Sequence, residues 1–218
     1  MAEQLNRSPP DRALALVYAP ADRRAGVMAL FALDATLGSI LRSTREPMIG
    51  QMRLTWWFEA LERLDREPPP AQPVLEALAT EVIPTGITGA DLAAMIDGWE
   101  LVLVDDAPDD AALARYAADR GERLFEAAAV VLGATDAQAR TAGEGWALAD
   151  LSANLSRPDV AERARALAAE RLRSATGRRW SRAGRALGGL AWLARYDLEG
   201  RHGPERVARL LLHRLTGR

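Results

Sequence analysis

The spacing of apolar residues constrains this chain more than any other feature. They recur at helical intervals almost throughout, and the alternating runs of β-branched residues that build strands are missing, so the fold read from the sequence is all-α. Proline supplies the punctuation, because it lacks an N–H and clashes with the preceding helical turn. Pro9-Pro10, Pro20, Pro68 to Pro70 with Pro73, Pro84, Pro108, Pro158 and Pro204 all fall between periodic segments. Helices are expected near 11–18, 21–42, 46–66, 73–82, 89–104, 110–132, 136–156, 159–176, 180–199 and 204–216. Thr88 and Thr135 each precede a periodic stretch with an acid close behind, the pattern of an N-cap. In "ALARYAADRGERLFEAAAVVLG", Ala112, Leu113, Tyr116, Leu124, Ala127, Ala128 and Val131 form an apolar stripe, and Gly133 is a natural stop. No linker, repeat or composition break divides the chain, so residues 1–218 are read as a single domain.

With 218 residues, 49% of them hydrophobic, the chain suits one large domain with a sizeable core. The absence of cysteine excludes disulfides, thiolate metal sites and cysteine nucleophiles. His202 and His213 are the only histidines, which gives zinc and Ser-His-Asp chemistry little support. The opening "MAEQLNRSPPDRALALVYAP" lacks a basic start followed by a long apolar stretch, and no segment approaches the ~20 uninterrupted apolar residues of a membrane span. A cytoplasmic location is therefore expected, extending to the surface of the inner membrane. Every one of the 28 basic residues is Arg, a usage that fits a GC-rich genome.

The formal charge of -2 hides an asymmetry. Residues 1–159 carry 14 Arg against 25 acids, or -11, whereas residues 160–218 carry 14 Arg against 5 acids, or +9. A basic end such as "GRRWSRAGR" suits an anionic membrane surface, a diphosphate or an acidic protein partner. The alternative is that it docks on the acidic remainder of the same chain or stays solvated. No nucleic-acid partner is read from it.

The run "VDDAPDDAAL" (104–113) looks like the Asp-Asp-x-x-Asp signature with which isoprenoid synthases hold magnesium and a diphosphate. Carboxylates cage a hard cation only if their oxygens converge, which on a helix requires i, i+3 or i+4 spacing along one face. Pro108 stands inside this run and breaks any such helix. The run is therefore read as a loop in which Asp109 or Asp110 caps the helix that follows.

Other segments, taken in order, carry a broader resemblance. "YAPADRRAGVMALFAL" (18–33) resembles the opening helix of squalene and phytoene synthases, and "EPMIGQMRLTWWFEAL" (46–61) with "QPVLEAL" (72–78) resembles the second segment of that superfamily's divergent branch. "MIDGWELVLV" (95–104) is similar to the family's Ile-Asp-Gly helix, and "GEGWALADLSANLSR" (143–157) to the helix bearing its second acidic motif. The resemblance covers roughly residues 12 to 160. It implies a single-domain isoprenoid-synthase-type helical bundle around a central cavity, and it places the 104–113 run on a loop outside the active site.

Enzymes of that family join isoprenyl diphosphates head to head, with magnesium held between two facing acidic helices to neutralise the departing diphosphate. Carried over from Ala29, Leu30, Phe31, Ala32 and Leu33, the first motif falls on Gly38, Ser39, Ile40, Leu41 and Arg42, none of them a carboxylate. With Asn154 and Arg157 as anchors of the second motif, its acid positions become Pro158 and Glu162, and "VAERARALAAERL" replaces the Arg-Val-Tyr-Leu-Pro segment of active members. Substitute acids lie nearby: Asp34 one turn before Gly38 and Asp150 one turn before Asn154. An active enzyme would have to use Asp34, Asp150, Asn154 and Glu162 with magnesium, against the repulsion of Arg42. For ligand binding the candidates are Arg42, Arg53, Asp97 and Asn154, with Glu100 one turn after Asp97. Of the pair Trp56 and Trp57, at most one faces the interior, since neighbours point to different sides of a helix.

The resemblance to the divergent branch implies a non-catalytic protein with a binding or assembly role, such as mitochondrial members of that branch play in assembling respiratory complex I, and no cofactor. The alternative is an active head-to-head prenyltransferase with a rearranged acidic site and magnesium. An isoprenoid or lipid carrier is the third class.

Overall fold

The computed structural model describes residues 15–44, 46–105 and 107–218. Helices account for its regular structure: α1 (Arg24–Ser43), α2 (Pro47–Glu62), α3 (Pro73–Glu81), α4 (Gly89–Ala93), α5 (Ile96–Val104), α6 (Asp110–Tyr116), α7 (Arg123–Leu132), α8 (Ala139–Ser152), α9 (Pro158–Thr176), α10 (Arg185–Leu198) and α11 (Glu205–Thr216). A π-helical segment, Ala117–Glu122, joins α6 to α7 in one continuous rod, and a 3-10 turn, Ile83–Thr85, follows α3. No strand occurs among the described residues.

The punctuation works as the local chemistry requires. Pro47, Pro73 and Pro158 open α2, α3 and α9, where a missing N–H costs nothing. Thr88 and Asp91 form a capping box at the start of α4. Asp109 caps α6 by accepting from the Ala112 N–H at 2.8 Å, and Asp105 accepts from the Ala107 N–H at 2.9 Å, so two acids of the 104–113 run hold loop backbone. Asp106 lies outside the described residues, and Asp110 pairs with Arg163 at 3.2 Å. Gly133 ends α7 in the left-handed region, at φ 66°.

Some boundaries differ from expectation. The segment 89–104 is two helices broken at Ala94 and Met95, and the helix expected from 180 begins only at Arg185. Thr135 caps nothing: α8 starts at Ala139 behind Gln138, and Asp136 instead accepts from the N–H and hydroxyl of Ser181 at 2.7 and 2.6 Å. The helix expected over 136–156 runs only from Ala139 to Ser152, and Pro158 begins the next. Of the segment expected at 11–18, residues 11–14 lie outside the described part, and Ala15 and Leu16 are helical.

At the centre, α8 packs along α9, α10 and the π segment. Its buried positions include Ala142, Gly143, Gly145 and Ala147, small enough for helix axes to come close. The tightest approach is glycine on glycine. A Cβ on Gly121 would lie 2.2 Å from the Gly143 carbonyl oxygen, and one on Gly143 would lie 2.1 Å from that of Gly121. By length and composition α1 passes for a membrane-spanning helix, contrary to the sequence expectation. In the fold Leu30, Leu33, Leu37 and Ile40 on it are fully buried inside the protein core, each side chain contributing roughly 1.5–3 kcal/mol. Its one ionised residue in that face, Asp34, is paired with Arg120.

Near the chain end α11 docks through Arg206, Leu210 and His213. The His213 ring is fully buried, with Nε2 3.1 Å from the Arg185 carbonyl, and burial pushes its pKa below the ordinary histidine value.

Replacing Gly121 by Ala should lower stability by about 1–3 kcal/mol or more, because two backbones must separate to admit a methyl group; urea denaturation measures it. Histidine 213 adds a pH dependence of defined sign. The native state holds the ring neutral while the unfolded chain takes up a proton below about pH 6.5, so stability should fall as pH drops from about 7.5 to 5.5. His213→Asn should flatten that dependence in thermal melts taken across the same range.

Candidate functional site

Asp34 on α1, Asp150 on α8 and Arg120 in the π segment converge at the middle of the bundle. Arg120 donates from Nε to Asp34 Oδ1 at 2.7 Å and from Nη2 to Asp34 Oδ2 at 2.9 Å, a two-pronged grip on one carboxylate. Nη1 meets Asp150 Oδ2 at 2.8 Å and also donates to the Tyr116 hydroxyl. The guanidinium lies over the Trp99 ring, 4.0 Å from its centroid, with Trp146 at 4.9 Å. Side-chain exposure is 2% for Arg120, 3% for Asp34 and 20% for Asp150, so the ion pair is buried at one end and open at the other.

The local sequence explains the placement. Arg120 comes four residues after Tyr116 and four before Leu124, at a position of the apolar stripe where a hydrophobic residue would normally sit. The π segment and the Gly121–Gly143 contact press this turn against α8, where Asp150 projects. Gly98 on α5 lets the backbone of the π segment approach, since a Cβ there would lie 3.0 Å from the Arg120 backbone nitrogen and 3.1 Å from its Cβ. Phe31, Phe125 and Trp146 close the neighbouring space in edge and tilted contacts at centroid distances of 5.7 to 6.1 Å.

Burial opposes the charge on Arg120, but the adjoining Asp34 carboxylate, the Tyr116 oxygen and Asp150 together hold its pKa well above the ordinary arginine value. Burial likewise raises the Tyr116 pKa, so the phenol stays protonated at any working pH. The centre is thus a fixed cation held between two carboxylates and a protonated phenol.

These residues do not fit magnesium. That ion demands several oxygens in near-octahedral array at about 2.0–2.1 Å, and both carboxylates nearest its expected place are already turned onto a guanidinium. Among the described residues, no group of three or more His, Asp or Glu side chains is arranged to hold a metal ion.

The remaining candidate residues scatter. Asn154 sits exposed in the turn after α8, donating from Nδ2 to the Asp150 carbonyl at 2.7 Å. Glu162 is exposed on α9, outside the ring of contacts around Arg120. Arg42 is exposed on the last turn of α1 beside Gly38, whose missing Cβ makes room for Trp99. Arg53 donates to Ser43 Oγ at 3.1 Å and Thr44 Oγ1 at 3.4 Å, tying α2 to the end of α1. Asp97 is exposed in the first turn of α5, and Glu100 is half-buried. Trp57 is buried while Trp56 is exposed, their rings edge to face at 5.4 Å. Beside the centre, a cavity of about 410 Å³ opens between α8, α9 and α10. Trp146 and Asp150 border it together with Asn154, Arg165, Leu190 and Leu193.

An all-α bundle with two helices facing each other across a charged centre defines the isoprenoid-synthase class of fold. A squalene/phytoene synthase profile matches residues 5–177, and the chain belongs to that family. The structure is similar to the crystal structure of a dehydrosqualene synthase in complex with ligand, with a TM-score of 0.75, 14% sequence identity, and coverage of 97% of this chain and 92% of that one. No curated protein sequence matches the chain. The expected all-α isoprenoid-synthase fold is therefore the observed one.

Sequence reasoning brought Asp34 and Asp150 together but missed Arg120, Tyr116, Trp99 and Trp146 as their partners. The available signal was the arginine inside the apolar stripe of 112–131.

Arg120→Met should cost about 3–5 kcal/mol, because it strands Asp34 as an unpaired buried charge. Adding Asp34→Leu should recover most of the loss, since an apolar pair of similar volume replaces an ion pair that was expensive to bury. Chemical denaturation of the single and double variants decides this.

Proposed function

We propose that this protein is a non-catalytic squalene/phytoene synthase-like protein that acts by binding. The observation that carries the reading is the Arg120 guanidinium between Asp34 and Asp150. Ionising an allylic diphosphate requires mobile divalent cations held by several carboxylates on opposing helices. Here the first-motif helix offers Gly38 and Arg42, and the nearest acids on both helices are spent on an internal cation that cannot leave. A covalently tethered charge offsets the carboxylates at the bundle's centre without metal, which supports a scaffold more than a reaction chamber. A role in assembling a respiratory complex is one form of this reading, and it rests on the resemblance of residues 46–61 to the family's divergent branch.

The cavity beside the centre favours one further version of a binding role. Leu190, Leu193, Ala194 and Leu198 form one wall and Asp150, Asn154, Arg165, Asp197 and Arg206 line much of the rest, a mixed lining that an isoprenoid or lipid could use only with its polar end inside.

Purified protein incubated with farnesyl or geranylgeranyl diphosphate, magnesium and NADPH should yield no squalene, phytoene or related hydrocarbon and release no diphosphate. A product that forms with the wild type and disappears in Asp34→Asn or Asp150→Ala would overturn the non-catalytic reading. Native mass spectrometry of the same preparation reads whether a polyprenyl or lipid species travels with the protein.

A further inference from the structure

The final helix is amphipathic in the wrong sense for a soluble bundle. It turns Arg206, Leu210 and His213 toward the protein, while Val207 (49% exposed), Leu211 (51%), Leu212 (47%) and Leu215 (76%) face outward with Ala208. At about 100° per residue these outward positions fill one continuous arc of about 140°. A surface helix normally presents such an arc to the core. Among the described residues nothing covers this row of aliphatic side chains, and the question is what does.

Charge around the helix end answers. Arg182, Arg185 and Arg214, with Tyr18 and Leu215, line a concavity of about 440 Å³. Arg185 donates to the Arg214 carbonyl at 2.6 Å and Arg179 to the Thr216 carbonyl at 3.1 Å, so arginines are gathered at the negative end of the helix dipole. The guanidinium of Arg214 lies 5.2 Å from the centroid of the Tyr18 ring. Elsewhere in the basic C-terminal third Arg163 pairs with Asp110, Arg171 with Glu144, Arg195 and Arg201 with Glu199 and Arg206 with Asp197, while Arg165 donates to a backbone carbonyl. Among the described residues no salt bridge involves Arg182, Arg185 or Arg214. Three arginines without a carboxylate partner among the described residues thus stand together beside the apolar arc.

We propose that the outer face of α11, with Arg182, Arg185 and Arg214, docks this protein on the surface of an anionic lipid bilayer. The leucines enter the boundary between headgroups and acyl chains while the arginines engage lipid phosphates, and Tyr18 stands at the level where an aromatic ring with a polar tip is stable. A bilayer suits the face better than a protein does, because the arc is a convex row of aliphatic side chains with no groove or aromatic anchor of the kind that dominates protein interfaces. The surface is separate from the Arg120 centre, so the two readings stand or fall independently.

Vesicle flotation tests the proposal with the full chain. Vesicles of phosphatidylcholine containing phosphatidylglycerol should bind the protein, and phosphatidylcholine alone should not. Binding should weaken as salt rises, since exposed charges are screened over ~8–10 Å at physiological ionic strength. Arg182→Gln together with Arg214→Gln should reduce affinity about 25-fold, at about fivefold per arginine. Leu211→Ser with Leu215→Ser should reduce it by more than about tenfold even at low salt. All four side chains are exposed, so thermal melts of both variants should match the wild type. Failure to bind anionic vesicles, equal binding to neutral ones, or unchanged binding in both double variants would overturn the proposal. So would release of bound protein by inorganic phosphate at constant ionic strength, which would make the concavity an anion site. A concentration-dependent dimer abolished by the leucine substitutions would overturn it too, by making a second copy of this chain the cover.

Discussion

A guanidinium held in the middle of a helical bundle sets the terms for the rest of this protein. Burying an arginine costs several kcal/mol even after relaxation, and the cost is offset only where carboxylates and ring faces surround it. Asp34 supplies a two-pronged partner, Asp150 a second charge, and Trp99, Trp146 and Tyr116 the walls. Once those groups are committed, α1, α5, α8 and the π segment have little freedom to move relative to one another. The interaction that offsets the charges at the centre also fixes its geometry.

On the proposed reading, one fold carries a structural centre here where a synthase carries a reaction centre. A metal-dependent synthase needs its cations to come and go with the diphosphate, which requires carboxylates that are exposed and unpaired when the site is empty. An arginine delivers positive charge to a similar place but is tethered, monovalent and planar, so it can hold two helices together and cannot follow a leaving group. Likeness of fold to a dehydrosqualene synthase is accordingly no guide to activity, because chemistry belongs to the site and not to the bundle.

Charge elsewhere obeys the same logic of pairing. The acidic first part and basic last part of the chain are not simply repelled or solvated. Arg163 and Arg171 fasten α9 to acids on α6 and α8, and Arg206, Arg195 and Arg201 are tied up around the end of α10. Arg182, Arg185 and Arg214, which form no such pair among the described residues, gather at one end of α11, next to the face where aliphatic side chains meet water.

The helical class, most helix limits and the family were legible from spacing, proline positions and ordered motif remnants. These are local signals: Thr88 with Asp91 caps α4, and Asp109 caps α6, through contacts a few residues apart. The loss of the acidic motif at Gly38 and Arg42 was equally plain, because it is a matter of residue identity. The partner of Asp34 was not legible, since Arg120 lies 86 positions away and is brought to it by a π segment that periodicity does not reveal and a glycine contact that depends on α8 being alongside. Nor did pattern alone fix the direction of α11. The sequence shows an amphipathic helix with an apolar stripe, and the obvious assignment puts that stripe inside. Only the packing of Arg206, Leu210 and His213 against the bundle turns it outward, because which face of a helix is buried depends on the surface it meets and not on the helix itself.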